Sequence, residues 1–151
     1  MKVSDVIEGQ HLLTAELATP IGVIADLMKE HDVTGVPIVD EWGALAGLVT
    51  SSMVLDLARA WSPKVHEVPM DPGWHPTSGP TLAFPWTALK ARDVMTSDLC
   101  TVMHDHDLSE AAQGMITRGV HRAIVLGKDR NVLGVISSLD FVRMAAEGKL
   151  A

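Results

Sequence analysis

The chain carries the same unit twice. Gly47-Leu48-Val49-Thr50-Ser51 and Gly134-Val135-Ile136-Ser137-Ser138 stand 87 residues apart. The same spacing pairs Thr14 with Thr101, Ala25 with Ala112, Met28 with Met115 and Val33 with Val120. It also sets Val36-Pro37-Ile38-Val39 over Ala123-Ile124-Val125-Leu126. Near each start, Lys2-Val3-Ser4-Asp5-Val6-Ile7 matches Lys90-Ala91-Arg92-Asp93-Val94-Met95 with one extra residue between them. A duplication restricts the fold more than any composition does, because two copies of one unit must share one architecture. Each copy holds about 60 residues, too few for a comfortable core of its own, so the two are expected to pack on each other.

Within a copy the pattern reads strand, helix, strand, strand, helix. In copy one a first strand is expected near Leu12–Ala15, then a helix with Thr19 as cap and Pro20 at its first position. The helix stripe is Ile21, Ile24, Ala25, Leu27 and Met28. Strands at Val36–Val39 and Leu45–Thr50 flank the Asp40-Glu41-Trp42-Gly43 turn, and Val54, Leu55, Leu57 and Ala58 mark the closing helix. Copy two repeats this with a strand near Leu99–Met103 and a helix whose Asp107-x-x-Glu110 start is a capping box. Strands Ala123–Leu126 and Val132–Ser137 then flank the turn at Lys128-Asp129-Arg130-Asn131.

Between residues 61 and 89 the sequence changes character, with Pro63, Pro69, Pro72, Pro76, Pro80 and Pro85 interleaved with Trp61, Trp74, Phe84 and Trp86. Prolines forbid a regular helix or central strand, and the length exceeds that of ordinary loops. Its expected place is the domain surface or an oligomer contact, with a reach over a ligand cleft, or disorder, as the alternatives. The organisation expected is therefore copy one over 1–60, the connecting segment over 61–89 and copy two over 90–151.

A net charge of −7 without a long basic run argues against nucleic acid as a partner. Cys100 is the single cysteine, which rules out an intrachain disulfide and fits a reducing compartment. The N-terminus leads into no apolar stretch of signal-peptide kind, and no apolar run approaches the roughly 18 residues of a membrane span. A soluble, cytoplasmic protein is expected.

The chemistry is expected where the last strand of copy two turns into its helix, at Gly134-Val135-Ile136-Ser137-Ser138-Leu139-Asp140. Helix starts leave unpaired N–H groups that attract phosphate, and Asp140 can accept bonds from a pair of ribose hydroxyls. Ser-x-x-Asp is equally a plain helix cap. The run Met103-His104-Asp105-His106-Asp107 is not read as a metal site, since its histidines face opposite ways if extended and Asp107 is used as a cap. No nucleophile, base and acid fall together on shared elements, so nothing argues for catalysis.

The doubled unit, with Val36-Pro37-Ile38-Val39-Asp40 and then Gly47-Leu48-Val49-Thr50 in one copy, resembles the CBS-domain pair (the cystathionine-β-synthase domain, or Bateman module). The resemblance covers nearly everything except the Pro/Trp segment. It implies an α/β fold of two tandem β-α-β-β-α repeats packed around a pseudo-twofold axis. It also implies a cleft for an adenosine nucleotide (AMP, ADP, ATP or a related adenosyl ligand), with Ser137 near phosphate and Asp140 on the ribose. Val120-His121-Arg122-Ala123 looks like the His-Arg-hydrophobic stretch of the AMP-activated kinase gamma subunit, so His121 and Arg122 are expected at phosphate. Thr101 and Val102, and Ala123 and Ile124, are expected along the same pocket. Copy one departs from the pattern, because it keeps Thr50 but has Met53 where the aspartate belongs, and a thioether is a poor acceptor. That second site is expected to be degenerate.

The function implied is that of a stand-alone regulatory sensor that requires no cofactor, takes the nucleotide as its regulatory ligand and acts on a partner protein in trans. The alternative is a structural dimerisation module that binds no nucleotide. A homodimer is expected from apolar residues on the outer helices, Val54, Leu57, Ala58 and Trp61 with Val142, Met144 and Ala145.

Overall fold

The computed structural model describes residues 1–60 and 85–150, and the reading of the Pro/Trp segment falls outside them for residues 61–84. Repeat one consists of α1 (Val3–Ile7), β1 (Ala15–Glu16), α2 (Ile21–Glu30), β2 (Gly35–Val39), β3 (Leu45–Thr50) and α3 (Ser51–Ala60). A single 3-10 turn at Pro85–Ala88 leads into repeat two. This comprises α4 (Ala91–Val94), β4 (Thr101–Met103), α5 (Leu108–Arg118), β5 (Arg122–Leu126), β6 (Val132–Ser137) and α6 (Ser138–Ala146). Each repeat forms a three-stranded sheet, ordered β1-β2-β3 or β4-β5-β6, whose first pair is parallel and second antiparallel. The fold class is the one expected. Among the described residues no helix is long and apolar enough to cross a membrane.

Local sequence accounts for these elements. On α5, Leu108, Ala111 and Met115 fall on one face and are buried, and Gly119 ends the helix in the left-handed region at φ 63°. The strand β5 is buried from Ala123 to Leu126, as a strand covered on both faces must be. One face of each sheet meets the other through Leu48, Ile124, Leu126 and Val132. The opposite faces carry the helices, giving one core per repeat.

Those two cores are completed crosswise. Val3 of α1 is fully buried among Val102, Leu108, Ala123 and Ile136 of repeat two. Ala91 of α4 is fully buried among Ile21, Ile24, Val36 and Val49 of repeat one. The backbone follows suit. Val3 and Ser4 donate N–H bonds to the carbonyls of His106 and His104, and Ala91 and Arg92 donate to Thr19 and Leu17. Lys2 adds an ion pair to Asp107 at 2.9 Å. The two motif glycines exist because of this exchange: a Cβ on Gly134 would lie 2.9 Å from Ile7, and one on Gly47 would lie 2.5 Å from the sulfur of Met95.

Four expectations need correction. The first strands are shorter and later than read, at Ala15–Glu16 and Thr101–Met103, because Leu12 and Leu99 pack between the sheets instead of pairing. Helix α2 is capped at Pro20 and starts at Ile21, while the Thr19 hydroxyl accepts the Glu16 N–H at 3.1 Å and closes the preceding turn. The short leading helices α1 and α4 were not expected at all. Finally, Val54, Leu57 and Met144 turn inward to the repeat cores; the exposed large apolar side chains of the outer helices are Val23, Leu55, Ile116, Leu139 and Val142.

Candidate functional site

The carbonyls of Thr34 and His121 each accept the first N–H of a following helix, from Ser51 and Ser138. These contacts bring the starts of β2 and β5 against the strand-to-helix turns. Along one side of this junction runs a cleft of about 660 Å³. Repeat one supplies residues 10–13, 32–35 and Pro37; repeat two supplies His121, Arg122, Val135, residues 137–140 and Arg143.

Arg122 lies at the meeting point of the repeats. Its guanidinium rests on Gly35, its own counterpart in the duplication, where an added Cβ would collide with Nη1. Its Nη2 donates to the Thr34 hydroxyl at 2.9 Å. Among the described residues no carboxylate pairs with it. Burial lowers its pKa from the ordinary value, although an arginine so placed stays charged. The cleft therefore holds a half-buried cation that, among the described residues, pairs with a neutral hydroxyl and no carboxylate.

Asp140 sits one turn into α6, with its side chain only 15% exposed. Its Oδ2 accepts both the Ser137 N–H at 2.7 Å and the Ser137 hydroxyl at 2.8 Å. Its Oδ1 accepts from Nη1 of Arg143 at 3.3 Å. The capping role is thus realised, and one side of the carboxylate still faces the cleft.

Of the sequence-derived site residues, Ser137, Asp140, His121 and Arg122 come together here. Thr101, Val102, Ala123 and Ile124 do not. Val102 and Ala123 are buried in the core of repeat two, Ile124 lies in the layer between the sheets, and Thr101 is exposed at the start of β4. The reason is the crosswise packing: the turn carrying Asp140 meets residues 10–13 of repeat one, not the first strand of its own repeat. Thr50 and Met53 also lie away from this cleft, at the β3–α3 turn, where the Thr50 hydroxyl faces Ser52 at 3.0 Å and accepts the Met53 N–H at 3.4 Å.

Among the contributors that the sequence reading missed, Arg143 and Pro37 differ in how visible they were. Arg143 gave no signal apart from its spacing of three from Asp140, which puts both on one helix face. Pro37 did give one, since its repeat partner is Ile124. The Ile124 N–H donates to the Cys100 carbonyl at 2.8 Å and zips β5 to β4. Proline has no such hydrogen, so β1 pairs with β2 only from Ile38 onward and the wall of the cleft opens at Leu13. The residues of the Met103-to-Asp107 run have other work: His106 faces Glu110 at 3.0 Å, and its backbone holds α1. Among the described residues no group of three or more His, Cys, Asp or Glu could hold a metal ion.

Two α/β repeats that exchange leading helices and share a cleft between them define a duplicated α/β module. The CBS-domain family profile matches residues 3–60 and 91–147, so the chain belongs to the CBS-domain family. Among solved structures it is similar to protein MJ1225 of Methanocaldococcus jannaschii, with a TM-score of 0.77 and 18% identity over 98% of this chain and 51% of that one. It is also similar to the CBS domain pair of protein MJ0100, solved in complex with 5′-methylthioadenosine and S-adenosyl-L-methionine, with a TM-score of 0.74 and 22% identity over 99% and 98% of the two chains. A third is CBSX2 in complex with AMP, with a TM-score of 0.69, 21% identity and 98% of both chains covered. Among curated proteins, a homoserine O-acetyltransferase of Methanohalobium evestigatum is 25% identical over 145 residues. The match covers 96% of this chain but only 24% of that enzyme.

Proposed function

We propose that the chain is a non-catalytic regulatory module that binds an adenosine nucleotide, one per chain, in the cleft between Gly35 and Asp140. The observation that carries this reading is Arg122, a half-buried cation with no carboxylate partner among the described residues, in the same cleft as Asp140. Charges out of water are ordinarily paired, and a guanidinium matches phosphate oxygens in geometry as well as charge. Asp140 supplies acceptors for a ribose, and the volume suits a small ligand. Solved relatives of the same fold hold AMP in one case and adenosyl thioether and sulfonium compounds in another. Met53 offers no equivalent to Asp140, which supports unequal occupancy of the two repeats. Occupancy would be read out by a protein partner.

Thermal melting with millimolar AMP, ADP, ATP and S-adenosylmethionine tests the reading. A ligand at 100 times its Kd stabilises the folded state by about 2.7 kcal/mol. For a domain of this size that raises Tm by roughly 5–10 °C. No shift with any of the four would instead support a purely structural module.

The same reading extends to a homodimer. Ile116 on α5 and Leu139 and Val142 on α6 are 74%, 62% and 62% exposed. Ile116 lines an apolar groove of about 500 Å³ together with Met115, Val120 and Phe141, and Leu139 and Val142 flank Phe141 in sequence on α6. Apolar surface gathered in this way marks an association site. Light scattering at micromolar concentration should give twice the chain mass; a monomer would refute the dimer and leave the cleft untouched.

A further inference from the structure

We infer that Arg143 is a specificity switch: it occupies Asp140 and must be exchanged onto the anionic group of the ligand when a ribose binds. This presupposes the nucleotide reading of the cleft and adds to it a coupling between the two ends of the ligand.

A carboxylate offers about four lone-pair sites, two on each oxygen. On Asp140, Oδ2 is filled by the Ser137 N–H and hydroxyl, at 2.7 and 2.8 Å. Oδ1 already accepts Nη1 of Arg143 at 3.3 Å. One acceptor site remains. A ribose presents two adjacent hydroxyls, and gripping both through Asp140 takes two sites. The Ser137 N–H is fixed by the turn into α6, and its hydroxyl shares the same oxygen. The donor free to leave is Arg143, whose side chain is 60% exposed.

Its departure leaves a guanidinium beside a cleft that already holds Arg122 and His121. In a nucleoside complex Arg143 loses its carboxylate and gains nothing. In a nucleotide complex a phosphate can take it up, as one more charge-assisted contact. Arg143 thus opposes binding of a bare nucleoside and favours binding of a nucleotide, and the cleft is tuned to ligands that carry a free ribose diol and an anion together.

Calorimetric titration of wild type and Arg143→Ala with AMP, adenosine and 2′-deoxyadenosine tests the exchange. Removing a partly exposed ion pair that competes with the diol should tighten adenosine by roughly two- to fivefold. Losing a charge-assisted phosphate contact should weaken AMP by about tenfold. The 2′-deoxyadenosine has one hydroxyl fewer and fits the single remaining acceptor, so its affinity should not rise. AMP and adenosine moving in the same direction, no movement of either, or equal gains for adenosine and its 2′-deoxy form would each overturn the switch while leaving the nucleotide site standing. Wild-type protein that binds neither AMP nor adenosine would overturn both. Arg143→Lys, which keeps the charge, should retain more of the preference for AMP than Arg143→Ala does.

Discussion

Asp140→Ala should weaken nucleotide binding by roughly ten- to a hundredfold, because it deletes the acceptor proposed for the ribose. A lost hydrogen bond to a charged group costs about 1.5–3 kcal/mol, and each 1.4 kcal/mol is a factor of ten in affinity. The variant also removes the partner of the Ser137 N–H and hydroxyl. A lost helix cap costs about 0.5–2 kcal/mol. At about 2–4 °C per kcal/mol for a chain of this size, Tm should fall by roughly 1–8 °C. The fold should survive, since the hydrogen bonds of this carboxylate go to Ser137 and Arg143, which belong to neither core. Met53→Ala, at the matching place in repeat one, should leave the affinity unchanged. Calorimetry decides: an Asp140→Ala protein that binds at full strength, or a wild type with two equivalent sites, would place the ligand elsewhere.

Arg122→Ala should discriminate between ligands. ATP and AMP should lose about one to two decades of affinity, while adenosine, which presents nothing to the guanidinium, should lose little. The unliganded protein should not become less stable, because the variant removes a half-buried charge that, among the described residues, is hydrogen-bonded to the neutral Thr34 hydroxyl and to no carboxylate. Gly35→Ala should reproduce the loss with Arg122 still in the sequence, since the new methyl group falls where Nη1 now lies. Such a clash is with the far end of a flexible side chain, so Tm should move little. Equal losses for ATP and adenosine in Arg122→Ala would show that Arg122 shapes the cleft without meeting phosphate.

The duplication and the sheet content were legible because they are written in side-chain identity at a fixed spacing. The last strand-to-helix turn was legible as well, since Ser137 and Asp140 form a helix cap whatever else they do. The leading helices were not, because four or five residues make little more than one turn and show no period. Nor could the sequence say which segments face each other across the cleft. Thr101 was assigned there by its place in its own repeat, yet the turn at Asp140 meets residues 10–13 instead. The alignment did place Gly35 opposite Arg122, but only the fold turns that correspondence into contact. Pro37 against Ile124 is a similar case: a difference visible in the alignment whose effect on the cleft wall depends on which carbonyl the missing N–H would have met.

The exchange of α1 and α4 bears on how such a chain arises. A lone ancestral repeat would have had no neighbour for its leader within the same polypeptide, and the place that Val3 or Ala91 fills would have been open. Two identical chains could have closed it for each other by trading leaders across a true twofold axis. Fusion of the genes would then have converted that trade into an internal one and released the two halves from being identical. Residues facing each other across the former axis became free to diverge in opposite senses. Gly35 beneath Arg122 is such a pair: a symmetric dimer would have had to set two glycines or two arginines against each other, and only the fused chain can hold one of each.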